Sequence, residues 1–205
     1  MKRFISTWLC LSSSIILGNF EIKSNEHTDV SIVFAEANTD LTVQRDIYAQ
    51  SLLASYKNLI GNDLSSLNDK FVSDEAFIEH YNQVFEREVT ALNNGECYFL
   101  SAIQDGKPVG WITVDSKPSR GQGEFYLREM AVDNDFKRKG IGSALLQAIT
   151  HPGSPLTDAK TLLVITRKMN IPSIKLFEKL GYVESDYMHP DYSSEKYLSF
   201  EKKVN

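Results

Sequence analysis

The stretch from Glu124 to Thr150, EFYLREMAVDNDFKRKGIGSALLQAIT, limits what this chain can fold into more than any other part of it. A short strand runs through a basic turn into glycines that open a helix. At such a helix start the first backbone N–H groups lack intrahelical partners, and the helix dipole adds partial positive charge. Lys137, Arg138, Lys139, Gly140, Ile141, Gly142 and Ser143 occupy that place, so the segment predicts an anion site of phosphate type. Glycines at 140 and 142 let the main chain approach a ligand without a Cβ in the way, and the three cations add attraction. A Gly-x-Gly after a basic turn also opens ordinary surface helices, so its context decides. The run lacks the Gly-Lys-Ser/Thr ending of a Walker loop, and it lacks the third glycine and downstream acid of a dinucleotide fingerprint.

A second segment, Asn170 to Tyr182 (NIPSIKLFEKLGY), reads as a capped helix. Asn170 is a good N-cap, Pro172 lies in the first turn and Gly181 suits the C′ position. Together the two segments resemble motifs A and B of the GNAT superfamily of acetyl-CoA-dependent N-acetyltransferases. Met130, Ala131 and Val132 match the apolar-x-Val triplet that ends the motif A strand, and Lys137, Gly140 and Gly142 hold the three signature positions. Lys137 departs from the usual arginine or glutamine. Asn170, Ser173 and Phe177 lie in the helix that, in the family, packs beside the pantetheine arm of the cofactor. The segments 126–132 and 170–174 are similar to those of the spermidine/spermine-type branch. There Arg128 takes the first place of an acidic pair and Glu129 keeps the second.

The remaining segments agree with that α/β fold. Val30–Ala35 reads as a first strand and Leu41–Leu59 as a helix with an acidic start. Ile78, Tyr81, Phe85, Val89 and Leu92 recur at helical spacing after the Ser73/Asp74 cap signal. Tyr98–Gln104 and Lys107–Val114 flank the hairpin signal Asp105-Gly106. After a loop over Pro118–Gly123 comes the motif A strand, then a helix whose apolar face is Ile141, Ala144, Leu145, Ala148 and Ile149. Thr161–Thr166 is a β-branched run suited to a buried strand, and Tyr182–Glu184 and Tyr197–Lys203 supply two more. The order is strand, two helices, three strands, helix, strand, helix, two strands. The expected fold is a single-domain GNAT fold over residues 29–205, a mixed central sheet with a splayed strand pair flanked by helices, after an extension over residues 1–28.

At 205 residues and 42% hydrophobic content the chain can bury one full core. A net charge of −5 argues against nonspecific nucleic-acid binding and accords with a cationic amine substrate. Cys10 and Cys97 have no ligand spacing, so no metal site is expected. Met1–Gly18 carries Lys2 and Arg3, then an uncharged run Phe4–Leu17, which matches a signal peptide better than a membrane span. The chain is accordingly expected either to be exported through this segment or to be cytoplasmic with an N-terminal extension.

The resemblance implies direct acetyl transfer from acetyl-CoA to a primary amine of a small molecule or protein, within a ternary complex, and it allows a homodimer. Pantetheine would lie in a V-shaped gap between the motif A strand and Thr161–Thr166, and the Val132 N–H would polarise the thioester carbonyl. An amine is protonated near neutral pH, so a carboxylate must help remove its proton. Glu129 and Glu124 are the candidates. Strand alternation places Glu124, Tyr126, Arg128 and Met130 on one face and Phe125, Leu127, Glu129 and Ala131 on the other. Arg128 also suits a substrate bearing a carboxylate. Phe177 stands where many members have a tyrosine that protonates the leaving thiolate, and Tyr187, Tyr182 or Tyr192 are the substitutes. Without such a donor, the alternative is a noncatalytic acyl-CoA-binding sensor.

Overall fold

The computed structural model describes residues 20–25, 28–119, 121, 123–156 and 158–204. Along the chain run β1 (Phe20–Asn25), β2 (Thr28–Phe34), α1 (Thr42–Ile60), α2 (Asp74–Asn93), β3 (Cys97–Gln104), β4 (Lys107–Asp115), β5 (Glu124–Val132), α3 (Ile141–Ala148), β6 (Thr161–Arg167), α4 (Ile171–Lys179), β7 (Val183–Ser185) and β8 (Tyr197–Lys203). The strands form one sheet in the order β1-β2-β3-β4-β5-β6-β8-β7. Among the described residues, only β5 and β6 pair in parallel.

From β2 onward this is the expected order, and the addition is β1. That strand arises inside the segment read as an extension, and it pairs antiparallel with β2 through Phe20↔Ile32 to Asn25↔Thr28. FEIKSN has too few alternating apolar residues to signal a strand. Tertiary pairing to β2 makes it one. The signal-peptide-like segment Met1–Gly18, with Cys10, lies outside the described residues.

Local chemistry explains the element ends. Ser73 caps α2 by accepting the Ala76 N–H, and Asp105 and Gly106 both take positive φ (51° and 74°) in the tight turn between β3 and β4. The acidic start expected for α1 sits just outside the helix, where Asp40 accepts both the N–H and the hydroxyl of Thr42. Asn170 caps α4 by accepting the Ser173 N–H. At the other end, Gly181 and Tyr182 donate to the carbonyls of Glu178 and Phe177, the bond pair of a Schellman stop.

Two apolar layers sandwich the sheet. On one face α3 and α4 bury Ile141, Ala144, Leu145, Ala148 and Phe177 against Ile112, Val114, Phe125 and Leu127. On the other, α1 and α2 pack around Trp111, which is fully buried. Its ring stacks on Phe99 at 4.9 Å, meets Tyr48 and Phe85 edge-on at 5.1 and 5.2 Å, and donates its indole N–H to the Gln44 carbonyl at 2.9 Å. Such pairs add to area burial, and a buried Trp→Ala change typically costs about 3–5 kcal/mol. Trp111→Ala should therefore lower the urea midpoint by a free energy of that size. A loss under about 1 kcal/mol would show that this layer does not hold α1 to the sheet.

Candidate active site

The register of β5 creates the site. Met130 pairs with Ile112 and Leu127 with Val114, so Arg128 and Glu129 together oppose the single residue Thr113. This is a β-bulge, which bends its strand and increases local twist. On the far side, β5 pairs with β6 only from Glu124↔Thr161 to Leu127↔Val164, whereas β6 stays paired with β8 through Arg167↔Tyr197. The two strands therefore part from the bulge onward. That is the splay expected between them.

The bulge overturns the expected alternation. Phe125 and Leu127 face the α3/α4 layer and Ala131 the α1/α2 layer, so the face inverts between them. Arg128 and Glu129 both reach the α1/α2 side, to Glu88 and Tyr48. Beyond the bulge the Asp133 N–H donates to the Val109 carbonyl, which marks Val132↔Gly110 as a non-hydrogen-bonded pair. Val132 and, two residues earlier, Met130 thus turn their N–H groups away from β4 and into the splay.

A cavity of about 350 Å³ occupies the splay, with Tyr48, Glu129, Met130, Thr166, Asn170 and Phe177 among its walls. Near the end of β5, where a Cβ on Gly142 would lie 3.9 Å from Val132, α3 begins at Gly140, in the left-handed region at φ 89°, with no side-chain cap. The first intrahelical bond is Ala144 N–H to Gly140 C=O, so the N–H groups of Ile141, Gly142 and Ser143 are available to an anion. These features fit a pyrophosphate with an amide-bearing arm. Gly142 also has a packing role: a Cβ there would lie 3.1 Å from Leu176 of α4. The cations of the turn divide their work. Lys137 donates to the Ser51 carbonyl at 3.1 Å and the Ser55 hydroxyl at 2.8 Å, tying the turn to α1, and burial lowers its pKa. Arg138 and Lys139 are exposed.

Glu129 is the carboxyl among the residues that line the cavity. Burial, opposed by a 2.7 Å hydrogen bond from the Tyr48 hydroxyl and reinforced by the charge of Glu88, pushes its pKa up to about 7. Arg128 makes a forked pair with Glu88, at 2.8 and 3.0 Å, and reaches Asp115 at 3.2 Å. Glu88 is buried and also accepts the Thr113 hydroxyl at 2.7 Å. The Arg128 charge is thus committed inside the protein, contrary to the expectation that it would meet a substrate carboxylate. This clamp runs through the residue opposite the bulge, since Thr113 Oγ1 also accepts the Glu129 N–H at 3.3 Å.

The other expected residues separate. Met130, Asn170, Ser173 and Phe177 line the cavity with Glu129, while the Ala131 side chain is buried beside Trp111. Glu124 sits at the paired end of β5, opposite Thr161, about 16 Å from Glu129 at ~3.3 Å per strand residue. It does not line the cavity, and neither does Tyr187. Tyr182 is in the core beside Phe177 at 5.6 Å, its hydroxyl without a partner among the described residues. Of the three tyrosines proposed to replace a motif B hydroxyl, Tyr192 is on the cavity wall. Tyr48 and Glu88 were missed. Glu88 had a signal: it stands three residues after Phe85 and four before Leu92, a charge within an apolar stripe. Tyr48 had none, because its bond to Glu129 crosses 81 residues.

Comparison with known proteins agrees with this geometry. The model of the acetyltransferase (GNAT) family matches residues 62–182, more than half of the chain. An N-alpha-acetyltransferase of Sulfurisphaera tokodaii is 29% identical over 114 residues, covering 51% of this chain and 68% of that protein. Among solved structures, the PaiA N-acetyltransferase of Thermoplasma acidophilum in complex with coenzyme A matches with a TM-score of 0.59 at 16% identity, over 84% of this chain and 99% of that one. The GNAT domain of S. lividans PAT matches with a TM-score of 0.58 at 14% identity, over 91% and 97%. At these identities the two structures establish a shared fold.

The raised Glu129 pKa has a consequence for stability. A carboxyl whose folded pKa lies above its unfolded value binds more protons when folded, so its stabilisation is complete below about 4.5 and is lost as pH rises through about 7. Glu129→Gln should therefore gain on the parent protein in melting temperature between pH 4 and pH 8. A difference that does not change with pH would contradict the burial argument.

Proposed function

We propose that this chain, which belongs to the acetyltransferase (GNAT) family and is an acyltransferase that uses acetyl-CoA, acetylates a primary amine by direct attack in a ternary complex, with Glu129 as the base. The observation that carries this reading is the placement of one carboxyl, poised near neutral pH, in a cavity whose splayed strand presents the Met130 and Val132 N–H groups. Acetyl-CoA supplies the thioester: a C–N bond forms to the amine, the C–S bond breaks, and coenzyme A leaves as the thiol.

The chain's own residues divide the remaining work. The uncapped start of α3 at Gly140 holds the pyrophosphate, and the exposed Arg138 and Lys139 draw it in. The Val132 N–H polarises the acetyl carbonyl. An alkyl ammonium has a pKa of about 10.4, so the amine must lose a proton before it attacks, and a base titrating near the working pH is best matched to take it. Tyr48 orients that base through its hydroxyl. Tyr192, whose pKa burial raises so that it stays protonated, lies on the wall and gives a proton to the departing thiolate in place of the hydroxyl that Phe177 lacks. The likeness to the polyamine branch supports an amine at Glu129, but Arg128, held by Glu88 and Asp115, stands where that branch has the first residue of its acidic pair.

Thiol release over a panel of amines, amino acids and peptides tests this reading. Glu129→Gln should lower turnover by about 10²- to 10⁴-fold while leaving the acetyl-CoA affinity unchanged, and Tyr192→Phe should lower it by a smaller factor. Unchanged kinetics in Glu129→Gln would remove Glu129 from the chemistry. Thiol release no faster than background for every acceptor would remove the transferase reading itself.

A further inference from the structure

The cavity has a second feature that acetyl transfer does not require. On the α1/α2 side its wall carries Arg87 of α2 and Arg167 at the end of β6. The Arg167 guanidinium lies over the rings of Tyr56 and Tyr197, at 5.7 and 5.1 Å. Arg128 also faces the cavity, but Glu88 and Asp115 neutralise it. Neither Arg87 nor Arg167 has such a partner: among the described residues no carboxylate lies within 4 Å of either. Glu129 is the only carboxylate among the lining residues. A cavity with two uncompensated guanidinium groups and one carboxyl is electropositive toward whatever enters it.

We propose that the acceptor is an amine that also carries a carboxylate, of free amino acid type, with its amine at Glu129 and its anionic group on Arg87 and Arg167; this rests on the acetyl-transfer reading above. A planar guanidinium matches a carboxylate with two parallel hydrogen bonds, and aromatic walls that displace water strengthen the attraction. Tyr56 and Tyr197 already hold the Arg167 plane, which lessens the ordering needed when the acceptor binds. His80, edge-on to Phe71 at 5.2 Å, also lines the cavity. Burial, then the charges of Arg87, Lys70 and Arg167, lower its pKa, and as a neutral imidazole it places no further charge there. A polyamine would instead set additional ammonium groups against the two arginines. The cofactor phosphates have their own donors at the start of α3, where Gly142 packs against Leu176 of α4.

The test uses matched acceptors with one side chain: the amino acid, its amide, the decarboxylated amine, and a dipeptide that begins with that residue. The amino acid should show a KM at least about tenfold below the others, the size of a single charge-assisted contact. Arg167→Gln should remove that advantage, and Arg87→Gln should reduce it. Neither variant should raise the KM for the decarboxylated amine, and both should leave the Kd for coenzyme A unchanged. Equal KM across the set, a dipeptide as good as the amino acid, or weaker coenzyme A binding in the arginine variants would each overturn the proposal while leaving acetyl transfer standing. If no acceptor releases thiol, calorimetry on the coenzyme A-saturated protein decides the subsite separately. Amino acid binding that exceeds amine binding and is lost in Arg167→Gln sustains it, and any other binding pattern refutes it.

Discussion

The two residues that oppose Thr113 in β5 are the constraint from which the site follows. Their insertion turns the strand away from β6, opens the gap and sends Arg128 and Glu129 to the same side of the sheet. The bulge is held by buried polar contacts rather than by apolar packing. Glu88 takes the Arg128 fork and the Thr113 hydroxyl, and the same hydroxyl oxygen receives the Glu129 N–H. Removing one partner of such a network leaves a buried charge uncompensated, which is strongly destabilising. The strand that carries Glu129 is therefore shaped by a network of charged and polar groups that bond to one another.

The same network separates two nearby carboxylates. Glu88 meets a guanidinium and a hydroxyl, so its lone pairs are occupied inside the protein. Glu129 meets only a neutral phenol and faces the cavity, so burial and the charge of Glu88 raise its pKa. Environment alone makes one structural and leaves the other free to exchange a proton. Arg87 and Arg167 contrast with Arg128 in the same way: the clamped arginine maintains the backbone, and the two that have no carboxylate partner among the described residues face the cavity.

Most of the fold was legible because its signals are local. Helix caps at Ser73 and Asn170, the Asp105-Gly106 turn and the apolar face of α3 depend on residues within a few positions of one another. The start of α3 at Gly140, without a side-chain cap, was legible for the same reason. What sequence reading missed is non-local. Strict alternation along 124–131 assumed an unbroken ladder, and nothing in EFYLREMAV marks where β4 fails to keep step. Arg128 looked available to a ligand because its partners lie 40 and 13 residues away. The placement of Tyr192 rather than Tyr187 on the cavity wall depends on how the segment between β7 and β8 returns across the sheet. β1 is a strand through its pairing with β2, which its own six residues do not signal.

The chemistry proposed for the splay depends most on Glu129 being a carboxyl poised near neutrality. Side-chain carbon NMR reads this directly, with the Glu129 signal identified by its disappearance in Glu129→Gln. The carboxyl carbon should titrate with a midpoint near pH 7 in the free protein, as its burial requires. A midpoint in the ordinary glutamate range, about 4.3, would mean that water reaches the carboxyl freely, and the base, and with it the chemical logic of the bulge, would have to be sought elsewhere.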